Sequence, residues 1–232
     1  MTNYDAVVFD LDGTLVDSRQ DMTASINRIL KLEGYQERAL EEIVLFLGKG
    51  QLEAVRNACP PGTDESVLHR LSDAFLNDYA ANCCVNTYAY EGAAELIAYL
   101  KAHGLKTGII TNKPEYIAEK VVSNFFDIQS FDIVRGAQDD SPLKPDPAAG
   151  HAICRDLALP AKSIIYIGDG GSDMSFAKSV GFFALGAVWG YRDKAELIAY
   201  GADETIETPA EFLTKIQIDS RPETRQPQID LK

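Results

Sequence analysis

The chain has little of what stabilises a secreted protein or builds a thiolate or imidazole metal site. Its four cysteines, Cys59, Cys83, Cys84 and Cys154, form no CxxC pair and no regular framework. Free or buried thiols in a reducing compartment fit that pattern better than disulfides or zinc ligands. His69, His103 and His151 fall at ordinary helical positions without convergent partners. No uncharged apolar run reaches membrane-spanning length, so no membrane contact is expected. The first residues do not read as a charged leader followed by an apolar stretch, and a cytoplasmic location is expected. Positive charge is scarce as well: 22 Lys and Arg stand against 35 Asp and Glu, a formal net charge of −13. This argues against a general nucleic-acid binder, which needs Lys and Arg on phosphates. It leaves room for a small phosphorylated ligand, because a metal, one lysine and backbone N–H groups can make a single pocket locally positive.

With 232 residues, the chain suits one moderately large α/β domain or a domain with one inserted subdomain. Its organising stretch is Tyr4 to Ser18. The apolar run Ala6-Val7-Val8-Phe9 reads as a buried strand, followed by Asp10, Asp12, Gly13 and Thr14. Residues i and i+2 of an extended chain share a face, so both carboxylates can look into one site. Two adjacent acids repel unless a cation lies between them or one stays protonated. A DxDG run alone also resembles half of a calcium loop; directly after an apolar strand, DxDGT is far more restrictive.

From Asp21 to about Cys84 the periodicity is helical, with four helices and no strand between them, which predicts a small bundle. From Tyr90 helices and strands alternate. Helices are expected near Ala93–Ala102, from Pro114 to Phe125, after Pro147 to Leu157, up to Val180, over Lys194–Tyr200 and over Ala210–Ile216. Strands are expected at Leu105–Ile110, Ile133–Val134, Ser163–Ile167, Phe183–Val188 and Thr205–Ile206. Such alternation predicts a Rossmann-like parallel sheet with helices on both faces, and active groups gather at the carboxyl ends of its strands. Asp10, Asp12, Thr111 and Asp169 all stand at predicted strand ends. The predicted layout is an α/β core over 1–17 and 88–216, a helical cap over 18–87, and a loosely held tail over 217–232. Asp139 and Asp140 read as solvating a loop.

Asp10-Leu-Asp-Gly-Thr-Leu-Val-Asp-Ser18 resembles the first motif of the haloacid dehalogenase-like hydrolase superfamily, and within it the phosphoglycolate phosphatase-like branch, whose helical cap follows this motif. The resemblance extends from about residue 4 to 213. It implies Asp10 as nucleophile, forming an aspartyl-phosphate, and Asp12 as general acid and then base, kept protonated by acidic neighbours. Thr111-Asn112 matches the second motif, so that the Thr111 hydroxyl and the next backbone N–H would bind phosphoryl oxygens. Lys144 matches the third and would offset charge on Asp10 and the phosphoryl group. Gly168-Asp169-Gly-Gly-Ser-Asp173 matches the fourth: Asp169 as direct metal ligand, Asp173 as a second acid that orients the metal site, with Asp10 and the backbone carbonyl of Asp12 completing the protein ligands. Hard oxygen ligands imply Mg²⁺. Gly48-Lys49-Gly50 resembles the cap loop that faces the active site; Lys49 either contacts an anionic substrate group or is a solvated loop lysine. Gly186-Ala-Val-Trp-Gly-Tyr191 resembles a late core segment of the branch, away from the cap.

The second acid matters, because dehalogenase relatives lack it and phosphonatases and ion-pumping relatives do not carry aspartate there. The expected activity is Mg²⁺-dependent hydrolysis of a small phosphorylated metabolite, phosphoglycolate foremost, by a monomer or homodimer. The alternatives are a nucleotidase, a pyrophosphatase or a β-phosphoglucomutase-like enzyme on the same scaffold, or a non-enzymatic phospho-acceptor or binding module.

Overall fold

The computed structural model describes residues 4–138 and 141–216. The expectations for Asp139, Asp140 and the tail 217–232 fall outside the described residues. The chain runs through β1 (Ala6–Phe9), β2 (Val16–Asp17), α1 (Arg19–Leu32), α2 (Leu40–Phe46), α3 (Gln51–Ala58), α4 (Glu65–Asn82) and β3 (Tyr88–Ala89). It continues with α5 (Ala93–Ala102), β4 (Lys106–Pro114), α6 (Glu115–Phe125), β5 (Ile133–Ala137), α7 (Ala148–Leu157) and β6 (Ile164–Gly168). The last elements are α8 (Gly171–Val180), β7 (Phe183–Ala187), α9 (Lys194–Ala199), β8 (Glu204–Ile206) and α10 (Phe212–Lys215).

Six strands form one sheet in the order β5-β4-β1-β6-β7-β8, and every pairing in it is parallel. β1 is central and apolar on both faces, as a strand covered by helices on either side must be. Its alternate residues part accordingly: Val7 and Phe9 belong to one core, Ala6 and Val8 to the other. The first core runs on without a break into the helical insert through Met22, Ile26, Leu30, Ile43, Val55 and Leu71.

Register sets the site. Phe9 lies opposite Ile109 of β4 and Ile167 of β6. The next residues along, Asp10, Ile110 and Gly168, therefore stand in one row at the carboxyl edge, with Asp10 N–H donating to Ile167 O at 2.8 Å. Asp169 and Thr111 follow one step on.

Two features depart from the sequence-based expectation. β2 and β3 form a two-residue antiparallel ribbon, Val16 with Ala89 and Asp17 with Tyr88, where the insert leaves the core and returns to it. Two residues carry no readable periodicity. β4 does not end at Ile110 but continues to Pro114 with a shifted register. Between the pairs Ile110–Arg135 and Pro114–Ala137, β4 has the three residues 111–113 where β5 has only Gly136. The excess forms a bulge, which re-aims side chains out of the ladder, and these three are the ones turned into the site. Pro114 caps α6 from outside rather than opening it.

Candidate active site

Four segments meet at the carboxyl edge below the insert, around a cavity of about 780 Å³. On its floor, carboxylate oxygens of Asp10, Asp169 and Asp173 all lie within 4.8 Å of one another. Asp173 stands in the first turn of α8 and returns Oδ2 to the Gly170 N–H at 3.0 Å, as acids near a helix start commonly do. Its Oδ1 accepts from Lys144 Nζ at 2.7 Å.

Lys144 reaches this floor from the loop before α7 and is buried. Its ammonium donates to Ile110 O, Tyr166 OH and Asp173 Oδ1, at 3.1, 2.8 and 2.7 Å. Asp10 Oδ1 pairs with the same nitrogen at 2.8 Å, so that one ammonium is shared among four oxygens. Three acids cannot all ionise there beside one lysine without cost. Burial pushes the Asp10 carboxyl up to about 7; Lys144 opposes the rise, and Asp173 and Asp12 add to it. Burial first, then Asp173 and Asp10, drive the Asp169 carboxyl well above its usual range. Burial would depress Lys144, but Asp10 and Asp173 outweigh it and carry the ammonium up to about 12.

Asp169 is held from two sides. Tyr191 N–H donates to Oδ2 at 2.7 Å, and Thr14 Oγ1 donates to Oδ1 at 3.5 Å. Glycine is required around it: Gly13 has φ +83°, and a Cβ there would sit 2.1 Å from Asp169 Oδ2. A Cβ on Gly190 would sit 2.2 Å from the Asp169 Cβ. Three clustered carboxylates, an all-oxygen donor set, suit a hard divalent cation, which prefers carboxylates and water.

Asp12 lines the same cavity. Its Oδ1 accepts from Lys113 Nζ and from Ser18 Oγ, both at 2.5 Å. Lys113 is buried and also donates to Tyr79 OH of α4 at 2.9 Å, so the insert contributes a group to this network. The β4 bulge supplies a lysine beside Asp12. Lys113 had one signal in the sequence: it directly follows Thr111-Asn112, though only the bulge aims it inward.

Thr111 lines the cavity, its Oγ1 accepting from Lys113 N–H at 3.2 Å. Asn112 is a tie between loops: Nδ2 donates to Lys144 O at 3.1 Å and to Gly48 O at 2.9 Å, and Oδ1 accepts from Lys144 N–H at 2.8 Å. Lys49 lies on the cavity wall, exposed, and makes no hydrogen bond or ion pair to the described residues. The site thus joins Asp10 and Asp173 through Lys144, with Asp169 within the same acid group, lines the same cavity with Asp12, Thr111, Asn112 and Lys49, and adds Lys113, Ser18, Tyr79 and Tyr191.

Fold and site together define a parallel α/β protein with an acidic, lysine-bridged centre beneath a helical insert. The family model described as haloacid dehalogenase-like hydrolase matches residues 7–187. A phosphoglycolate phosphatase of Cereibacter sphaeroides is 35% identical over 77% of this chain and 83% of its own. One of Xanthomonas campestris pv. campestris is 29% identical over 89% and 94%. The crystal structure of a predicted phosphoglycolate phosphatase from Haemophilus somnus superposes with a TM-score of 0.86 at 28% identity, covering 94% of this chain and all of that one. The chain belongs to the haloacid dehalogenase-like hydrolase family, and within it is phosphoglycolate phosphatase-like, an enzyme of the phosphatase class.

Proposed function

We propose that the protein hydrolyses a small phosphate monoester through an aspartyl-phosphate on Asp10, with Mg²⁺ as the cation, and that residues 18–87 act as a cap over a core of 1–17 and 88–216. The observation that carries this reading is the cluster of Asp10, Asp169 and Asp173, bridged by Lys144 on the floor of a cavity. Asp10, Asp169 and the Asp12 carbonyl would hold the cation. Asp173, with Oδ1 on Lys144 and Oδ2 on Gly170 N–H, is better placed to orient the lysine and the metal's waters. When bound, the cation neutralises phosphoryl oxygens and allows an anionic nucleophile to approach them.

In the first step an Asp10 carboxylate oxygen bonds to phosphorus and the P–O bond to the leaving group breaks. Asp12 gives the leaving oxygen its proton. In the second, Asp12 takes a proton from water, the water oxygen bonds to phosphorus and the bond to Asp10 breaks, restoring the carboxylate and releasing phosphate. Lys144 offsets the charge gathering on the phosphoryl oxygens, and the Thr111 hydroxyl with the Asn112 N–H binds them. Lys113 and Ser18 fix the orientation of the Asp12 carboxyl.

For the leaving group, relatives named phosphoglycolate phosphatase make phosphoglycolate the first substrate to test. Lys49, the unpaired cation on the cavity wall, suits its carboxylate. A second reading rests on a different observation. The insert side of the cavity is apolar, with Met22, Leu47, Phe75 and Leu76, and accommodates a bulkier alcohol such as a nucleoside. Phosphate release from phosphoglycolate, nucleotides, pyrophosphate and sugar phosphates decides between them. Mg²⁺-dependent release from a generic aryl phosphate, lost with a chelator, is expected of either; no turnover of any phosphate ester rejects the phosphatase reading.

A further inference from the structure

The segment after β7 reaches both the acid cluster and the insert, although its resemblance places it away from the cap. Tyr191 gives its backbone N–H to Asp169 Oδ2 at 2.7 Å. The next residue, Arg192, points its guanidinium the other way, into the end of α2. Arg192 Nη1 donates to Val44 O at 2.9 Å, and Nη2 donates to Leu47 O at 3.1 Å and more weakly to Leu45 O at 3.4 Å. The last carbonyls of a helix have no onward partner within it, and an arginine fork supplies several donors in one rigid plane. The side chain is only 16% exposed, so water competes poorly for these bonds.

The carbonyls that Arg192 grips lead directly into Gly48-Lys49-Gly50, the loop on the cavity wall. Asn112 holds the same loop from the opposite side through Gly48 O. Behind Arg192 stands Glu196, whose Oε1 is 3.6 Å from Arg192 Nε and accepts from Gly171 N–H at 3.2 Å. Gly171 lies between Asp169 and Asp173. The acid-bearing loop and the insert loop are therefore tied to one side chain, through Glu196 on one side and the carbonyls on the other.

Arg192 itself lies on the cavity wall, and we propose that it is a positioning residue: it latches the Gly48–Gly50 loop over the acid cluster, and so contributes to substrate affinity through that loop. This rests on the phosphatase reading only for the affinity part. With the fork removed, the loop keeps its tie to Asn112 but loses the grip on the end of α2, and it opens more often and presents Lys49 less well. Loss of charged hydrogen bonds of this kind corresponds to about a tenfold change in an equilibrium.

The test measures amide hydrogen exchange across residues 44–54 in the wild type, Arg192→Ala and Arg192→Lys, together with steady-state kinetics on whichever phosphate ester the wild type turns over. Arg192→Ala is expected to exchange about tenfold faster across 44–54, with β1 and β6 unchanged. Its KM is expected to rise about tenfold while kcat stays within about threefold. Arg192→Lys, which keeps the charge without the fork, should fall between and guards against a folding defect in the alanine variant. Wild-type exchange across 44–54 in both variants overturns the latch; faster exchange with an unchanged KM overturns its role in affinity. The exchange measurement needs no turnover, so a wild type inactive on every ester would reject the phosphatase reading while the latch is still judged.

Discussion

At the scale of single residues, the site keeps three carboxylates around one lysine at the expense of the apo protein. Asp10 is pushed up to about 7, chiefly by burial, so replacing it should relieve repulsion while removing the proposed nucleophile. Asp10→Asn is expected to lose essentially all turnover and to melt at or above the wild-type temperature in metal-free buffer. Thermal denaturation by circular dichroism alongside a phosphate-release assay checks both; wild-type-like activity rejects Asp10 as nucleophile. Lys113 carries a separate expectation. As the buried donor to Asp12 Oδ1, it orients the acid, and a positioned acid–base group contributes roughly 10²–10⁴-fold to rate. Lys113→Met should lower kcat by about 10²-fold with a smaller change in KM, and a kcat within twofold of wild type would remove Lys113 from the proton-transfer apparatus.

At the scale of elements, the junction between core and insert depends on a carboxylate outside the site. Asp21, in the first turn of α1, is buried and accepts from Val85 N–H, from the backbone and side chain of Asn86, and from the backbone and hydroxyl of Thr87. It clamps the returning chain just ahead of β3. Burial raises its carboxyl, but the bonds from Thr87 and Asn86 outweigh that and hold it below the usual range. The stabilisation is therefore complete above the unfolded pKa of about 3.9 and lost as pH falls through the lower folded value. Asp21→Asn turns amide hydrogens toward donors and should cost roughly 2 kcal/mol at pH 7. Urea unfolding from pH 7 down to pH 3 should show the gap between the two proteins narrowing in the acid range; a gap independent of pH would place the loss in packing instead.

Much of this scale was legible in the chain. β1 reads directly from Ala6-Val7-Val8-Phe9 because a central parallel strand is apolar on both faces. The stop His103-Gly104 and the Pro147 start marked α5 and α7 because capping chemistry is local. The ribbon of β2 and β3 and the bulge in β4 were not legible. Both depend on pairing with distant residues, and neither leaves a local pattern. The same limit hid the clustering of Lys113 with Asp12, whereas Asp10, Lys144, Asp169 and Asp173 were found because each sits in a short motif. Arg192 follows a recognised segment, but its grip on α2 is a tertiary fact with no spacing to reveal it.

At the scale of the whole molecule, a net charge of −13 surrounds a site whose own acids are under-compensated, and a divalent cation is the natural counter-charge. Because the cluster exists only in the folded chain, a cation that binds it stabilises by mass action, by about 2.7 kcal/mol at a hundredfold excess over Kd. Mg²⁺ should raise the melting temperature of the wild type and leave Asp169→Asn unmoved; equal shifts in both would point to nonspecific screening. Among the described residues no helix is long and apolar enough to cross a membrane.

The measurement closest to the central claim is chemical trapping of the covalent intermediate. A single turnover is stopped in acid within the first cycle, the protein is reduced with borohydride, and the peptide spanning β1 is sequenced by mass spectrometry. Homoserine at position 10, formed only from an acyl phosphate on that aspartate, is the expected result. Phosphate release in the same quench with residue 10 unaltered, or the modification at another acid, would contradict it.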